Sequence, residues 1–276
     1  MACHLYREEW SAAIPAAACV EVFHNFTLLH DDIMDEASLR RGKDAVHVAY
    51  GIPSAILSGD AMLIYAFKYL ESYEAESFKK LSSLFSRVSI SICAGQQEDM
   101  DFEQSEDVSI SDYIRMIEHK TSVLLGAAIQ MGGIIGGCSE SDEKHLYEFG
   151  KNIGIAFQIQ DDILDVYGDQ EKVGKIVAGD IINNKKTYLY LKALELLDEK
   201  GKARLIELYN TTPASVDDKI EEVRKLFRSC AAEAYAQELK EAYYTLGVSH
   251  LEALNLESGK KQPLRDLAEF LIMRDH

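Results

Sequence analysis

Two short stretches carry the residue types that could do chemistry. In "HDDIMDEASLRRG" (30–42), Asp31, Asp32, Asp35 and Glu36 fall within six positions and the basic pair Arg40-Arg41 follows. In "FQIQDDILD" (157–165), Asp161, Asp162 and Asp165 repeat the pattern. On a helix, residues four apart share a face, so Asp31 with Asp35 and Asp161 with Asp165 each present two carboxylates in one direction. One such cluster alone reads as a solvated acidic face. Two clusters, each following an apolar run such as "VFHNFTLL" (22–29), invite a cation, because like charges brought together cost free energy unless something positive intervenes. Hard divalent ions prefer oxygen ligands, and Mg²⁺ keeps waters while linking carboxylates to phosphate oxygens. Arg40, Arg41, Lys120, Lys175 and Lys185 would then supply charge for a phosphate-bearing substrate. A di-iron bundle needs Glu-x-x-His twice, and only Glu21-Val22-Phe23-His24 has that spacing.

The elements that must position these residues read as helices. Prolines number four, apolar residues recur at i, i+3, i+4, and sustained strand-like alternation is absent, so the chain is expected to be all-α. One helix is expected from about Ala16 to Asp35, after Pro15, with breaks at Gly42 and at Gly51-Ile52-Pro53. Another is expected from about Leu57 to Tyr73, then an interruption in the acidic stretch "EDMDFEQSEDVSIS" (98–111). Ser109 and Asp112 form a capping-box pattern for the helix carrying "IEHKTSVLLGAAIQM", which the glycines of "GGIIGG" (132–137) should end. A further helix runs from about Asp142 to Tyr167, and amphipathic helix fills the chain from Tyr188 on, with a start at Ser215 and Asp218. No low-complexity linker or internal repeat divides residues 1–276, which reads as a single domain.

Composition narrows the partners. The 276 residues include 46 acidic and 29 basic ones, a formal charge of −17, which argues against nucleic acid or an anionic membrane surface as the main partner. A small anionic substrate remains compatible if metal and a local basic cluster offset the field. No membrane span and no signal peptide are expected. Five cysteines (Cys3, Cys19, Cys93, Cys138, Cys230), odd in number and without Cys-x-x-Cys, read as free thiols of a cytoplasmic protein.

In their order, "LLHDDIMD" with "RRG", "GQQED" (95–99), "HKT" (119–121), "FQIQDDILD", "GKIVAGDI" (174–181) and "NNKKT" (183–187) resemble the motifs of the trans-isoprenyl diphosphate synthases. The resemblance runs to about residue 190 in ordered motifs and more loosely beyond. It implies a homodimer of the isoprenoid synthase fold, with helices around a deep central cavity and the two Asp-rich motifs facing each other at its mouth. It implies Mg²⁺, three ions per active site, with Asp31, Asp35 and Asp161 as direct ligands and Asp165, the fourth metal-site aspartate, acting nearby or through water like Asp180. Arg40, Lys120, Lys175 and Lys185 would hold an allylic diphosphate, and His24 and Arg41 isopentenyl diphosphate. Lys120, Thr121 and Gln158 would be the catalytic side chains, Thr121 and Gln158 turning polar atoms toward the developing allylic cation. The implied activity is a prenyltransferase that joins isopentenyl diphosphate to an allylic primer and makes a fifteen- or twenty-carbon product. A bulky residue just before the first Asp-rich motif accompanies short products in this family, which makes Phe26, and Phe23 one turn deeper, the floor of the chain-length cavity. The family's basic Gly-Lys-Arg-x-x-Arg-Pro type segment does not precede "MACHLY"; for a protein beginning at Met1, weak isopentenyl diphosphate binding is expected. Two rivals differ in class. A class I terpene cyclase would carry an Asn-rich second metal motif, which is not found. A non-catalytic subunit of a heteromeric synthase tends to lose one or both Asp-rich motifs, and both are intact.

Overall fold

Pro15 lies in the first turn of the long helix α1 (Ile14–Met34), where no backbone N–H is required of it. The protein is described by a computed structural model covering residues 1–105, 107–168, 178–211 and 215–273. Helices α2 (Val46–Tyr50), α3 (Ile52–Tyr69) and α4 (Ala75–Gln104) follow, then α5 (Ile110–Ile117), a π-helical turn (Glu118–Ser122) and α6 (Val123–Gly136). Helix α7 (Glu140–Tyr167) leads to the short α8 (Gly179–Ile182), and α9 (Tyr188–Leu196), α10 (Glu199–Asn210), α11 (Val216–Ser229), α12 (Ala232–Glu252) and α13 (Ser258–Met273) complete the chain. The expected all-α class holds. Among the described residues, the sheet consists of one hairpin, β1 (Leu39–Arg40) with β2 (Lys43–Asp44). Its two-residue turn is Arg41-Gly42, both at positive φ (53° and 74°), the conformation that matches hairpin twist.

Two boundaries differ from the sequence reading. Gly51-Ile52-Pro53, read as a break, is a turn that opens α3, with Gly51 at φ 84° as the N-cap and Pro53 in the first turn. The acidic stretch is helical as far as Gln104, since Gln97 pairs with Asp101 at 2.9 Å and Glu98 and Asp99 find cationic partners on the next elements. Helix α6 ends inside the glycine run, as expected, at Gly136 with Gly137 at φ 84°, while a Cβ on Gly133 would meet Leu146 Cδ1 at 2.2 Å. Within the run, Gly132 and Gly133 serve close packing and Gly137 the termination. The Ser109–Asp112 capping box and the Ser215 N-cap are present as expected.

The residues group into two compact units, Met1–Ile90 with Ala127–Tyr147, and Ser91–Gly126 with Glu148–His276. In the first, α1 packs on α3, and Cys19, Phe23, Ala55, Ala66, Leu70 and Leu81 are fully buried. In the second, Tyr113, Ile155, Ile159, Leu189, Tyr209, Val223 and Phe227 belong to one apolar core. Residues Trp10–Met34 are long and apolar enough to cross a membrane by length and composition alone, a criterion that apolar core helices of soluble proteins also meet. All five cysteines are free, with Cys3 and Cys19 buried and Cys93 exposed.

Candidate active site

Helix α1 carries the first aspartate cluster to its C-terminal end. Carboxylates are unfavourable there, because the unsatisfied carbonyls of the last turn already concentrate negative charge. Asp35 is the C-cap, exposed, with its N–H on Asp31 O at 2.8 Å. The chain then reverses and returns Arg40 onto the cluster. Arg40 Nε donates to Asp32 Oδ1 at 2.9 Å, Nη2 donates to the same oxygen, and Nη2 lies 3.7 Å from Asp31 Oδ2. This bonding to Asp32 holds the guanidinium above its ordinary pKa. Asp32 is therefore the buried anchor of Arg40 (3% exposed), while Asp31 is half-buried with its Oδ1 shielded from solvent and Asp35 is exposed. Arg41 is exposed at the hairpin turn. His24, about two turns below Asp31, is half-buried; burial lowers its pKa, opposed by Glu21 and reinforced by the charges of Arg41 and Arg40. Phe23 and Phe26 are buried, with ring centroids 5.5 Å apart; Phe26 also meets His30 at 4.8 Å and Phe23 meets Phe85 edge-on at 5.1 Å. The two phenylalanines thus stand in one aromatic column with Phe85, which the sequence reading did not name.

In the second unit, α7 ends in the second cluster, again at the electrostatically wrong end of a helix. Asp162 is buried (5% exposed); the Tyr113 hydroxyl donates to its Oδ2 and Gln158 Nε2 donates to its Oδ1 at 3.1 Å. Gln158 therefore spends its amide N–H on Asp162 and keeps its carbonyl oxygen as the atom it can offer elsewhere. Asp165 accepts from the N–H groups of Gly179 (3.1 Å) and Asp180 (3.0 Å), one per carboxylate oxygen, and so fixes the start of α8. Asp180 is pushed up to about 7 by burial and by the Asp165 carboxylate, with Asp161 and Asp99 adding to it and Lys185 offsetting part. Asp162 is raised as well, by burial first and then by the charge of Asp180. Lys120 lies in the π-turn, a helical irregularity frequent at functional sites, with Nζ 2.5 Å from Asp99 Oδ2. Gly95 lets α4 pass that turn: a Cβ there would stand 2.4 Å from Lys120 N. Thr121 is half-buried in the same turn, and Lys185 follows α8. Lys175 lies outside the described residues.

The donor set suits a hard cation. Among the described residues, no group of three or more His, Cys, Asp or Glu side chains is gathered to hold a metal ion by itself. Two-carboxylate sites that leave the remaining positions to water and phosphate oxygens are the way Mg²⁺ is bound, and such an ion would relieve the part of the rise in Asp180, to about 7, that comes from Asp165 in addition to burial. Asp32, Asp99 and Tyr113 were not assigned roles from sequence. The "GQQED" motif pointed at Asp99, whereas Tyr113 is 49 residues from its partner and has no local signature.

Comparison with known proteins decides the family. The polyprenyl synthetase family model matches residues 1–227. The chain belongs to the polyprenyl synthetase family. It is 40% identical over 271 residues to the geranylgeranyl pyrophosphate synthase of Geoglobus acetivorans, covering 98% of this chain and 82% of that protein. It is 38% identical over 271 residues to the short chain isoprenyl diphosphate synthase of Methanocaldococcus jannaschii, covering 98% and 81%. A crystal structure of a geranylgeranyl pyrophosphate synthase superposes with a TM-score of 0.94 at 43% identity, covering all of this chain and 85% of that one. As a member of this family the chain is an all-α prenyltransferase of isoprenoid synthesis.

Proposed function

We propose that this prenyltransferase condenses isopentenyl diphosphate with an allylic diphosphate and releases a twenty-carbon prenyl diphosphate. One observation carries the reading: both aspartate clusters occupy the C-terminal ends of long helices, where the helix itself disfavours them, with Arg40, Lys120 and Lys185 close at hand in sequence or in space. Asp31 and Asp35, and Asp161 and Asp165, are the proposed Mg²⁺ ligands. The metal, when bound, neutralises charge that develops on the departing diphosphate. Arg40, Lys120 and Lys185, with Lys175, hold the allylic diphosphate by its phosphate oxygens. His24, neutral near pH 7 because its pKa is lowered, and Arg41 hold isopentenyl diphosphate. Thr121 and Gln158 direct oxygen lone pairs at the allylic carbon as positive charge develops there, a stabilisation present only along the reaction. The allylic carbon–oxygen bond breaks with both electrons going to diphosphate. The π electrons of isopentenyl diphosphate form the new carbon–carbon bond, and the proton lost from the product passes to diphosphate. No separate protein base is required.

The twenty-carbon choice draws on the Phe23–Phe26 pair and on relatives named as geranylgeranyl pyrophosphate synthases. A cytoplasmic homodimer belongs to the same proposal. Leu57, Ile64 and Tyr65 of α3 are 69%, 68% and 59% exposed and fall on one side of the helix, an apolar face that a second copy would cover. Leu57→Asp should leave a monomer in sedimentation analysis; an unchanged mass distribution refutes that face. The reaction is tested by incubating the chain with labelled isopentenyl diphosphate, farnesyl diphosphate and Mg²⁺. Geranylgeranyl diphosphate is the expected product. Hydrocarbon products would make it a cyclase, and the absence of any product would remove the proposed reaction.

A further inference from the structure

Lys219 is a buried cation to which the proposed reaction gives no part. It stands on α11 four and eight residues before Val223 and Phe227, so it occupies the apolar stripe of its helix, and only 3% of it is exposed. A charge in that position costs free energy that an apolar residue would not. Its Nζ donates to Asn184 Oδ1 at 2.5 Å and lies 5.4 Å from the centre of the Tyr209 ring. Both partners are neutral. Burial draws the ammonium below the ordinary lysine pKa, so folding favours this charge less than water does.

The partner explains the placement. Asn184 has φ 58°, in the left-handed region that asparagine tolerates better than most residues. That reversal brings the N–H of Asn184 to Ile181 O at 3.3 Å and the N–H of Lys185 to Asp180 O at 2.9 Å. Asp180 in turn gives its own N–H to Asp165. On the far side of Lys185, Lys186 donates to Phe102 O at 2.7 Å and to Ser105 O at the end of α4, a cation on helix-terminal carbonyls. The segment that carries Lys185 is thus fixed at both ends, by Lys186 downstream and by the Asn184 turn upstream. The upstream hold depends on an amide whose oxygen rests on one buried ammonium.

We propose that Lys219 is a positioning residue, which sets the left-handed turn at Asn184 from the core side and so places Lys185 for the substrate diphosphate. This rests on the assignment of Lys185 to the allylic diphosphate. Lys219 touches no substrate itself.

The test compares Lys219→Met, Asn184→Ala and their double variant with wild type, in the whole chain with Mg²⁺, following Tm and the Michaelis constants of both substrates. Methionine keeps the stalk and removes the charge, so Tm should hold or rise. The KM for farnesyl diphosphate should increase about tenfold in each single variant and about tenfold, not a hundredfold, in the double, because both changes release one turn. The KM for isopentenyl diphosphate should stay within about twofold of wild type. A lysine that merely filled space would change Tm and leave this pattern unmoved. A folded Lys219→Met with wild-type KM for farnesyl diphosphate overturns the proposal, as does full additivity in the double variant. Where Lys219→Met fails to fold, Asn184→Ala decides alone, and a wild-type KM there is equally fatal. Lys185→Ala serves as the control. Turnover in wild type that is insensitive to Lys185→Ala overturns the assignment of Lys185 and this proposal with it. Sensitivity to Lys185→Ala without sensitivity to Lys219→Met overturns this proposal alone.

Discussion

Phe26→Ala is the perturbation that most sharply tests how product length is set. Phe26 precedes Asp31 by five residues, so at 1.5 Å per residue it lies about 7–8 Å along α1 from the first proposed metal ligand, and Phe23 lies about 12 Å away. The difference, about 4–5 Å, is of the order of one five-carbon unit. Removing the Phe26 ring opens space bounded next by Phe23, whose centroid is 5.5 Å distant and which Phe85 buttresses from α4. Phe26→Ala alone should therefore lengthen the product by about one unit, and adding Phe23→Ala by one or more further units. The cost in stability can be set beside this. Truncating a buried phenylalanine costs about 3–5 kcal/mol, against about 5–15 kcal/mol for a whole domain. Phe26 at 9% exposure belongs near the lower figure and Phe23 at 0% near the upper. The single variant should fold with Tm lower by about 6–10 °C. The double variant approaches the limit, so Phe23→Leu is the safer second change because it keeps most of the buried volume. Dephosphorylated products are resolved by reversed-phase chromatography. An unchanged length distribution in an active Phe26→Ala enzyme would refute the aromatic column as the floor.

Other outcomes follow from the same structure. Asp31→Ala and Asp161→Ala should each lower kcat by at least about 100-fold while Tm holds or rises, since each removes a carboxylate from a crowded helix end; near-normal turnover with Mg²⁺ present would remove these ligands from the mechanism. Arg40→Ala should raise the KM of the allylic substrate and cost about 1–2 kcal/mol by leaving Asp32 buried without its guanidinium, whereas Arg41→Ala should weaken isopentenyl diphosphate with little change in Tm; identical effects on both Michaelis constants would end that division. The lowered pKa of His24 means that the unfolded chain takes up its proton first as pH falls, so the stability this residue allows is complete above about 6.5 and is lost as pH drops from there toward the folded value, by at most about 1.4 kcal/mol per pH unit. His24→Gln should flatten that part of the Tm–pH curve, and a curve unchanged between pH 7 and 5 would show that His24 does not titrate differently on folding.

How much of this could be read in the sequence depended on how far apart the partners lie. Asp31 with Asp35 and Asp161 with Asp165 were legible because the chemistry and the helical period act over four residues. Ser109 with Asp112 was legible over three. The start of α3 at Ile52 was misplaced to about Leu57 because proline both breaks a helix and opens one, and Pro53 here lies in the first turn. Asp32 was submerged among its acidic neighbours, although the return of Arg40 gives it a distinct and buried task. Tyr113 with Asp162 and Lys219 with Asn184 are separated by 49 and 35 residues, and no periodicity links them. Lys219 nevertheless left a trace that local reasoning could use. Helix α11 repeats apolar residues at Val223 and Phe227 and breaks the stripe with a lysine one turn earlier, where burial is costly. A polar residue on an otherwise consistent apolar face is a residue retained against stability. In this chain the same logic holds for the aspartates at the ends of α1 and α7, so the positions that local rules disfavour are the ones to which the proposed chemistry assigns work.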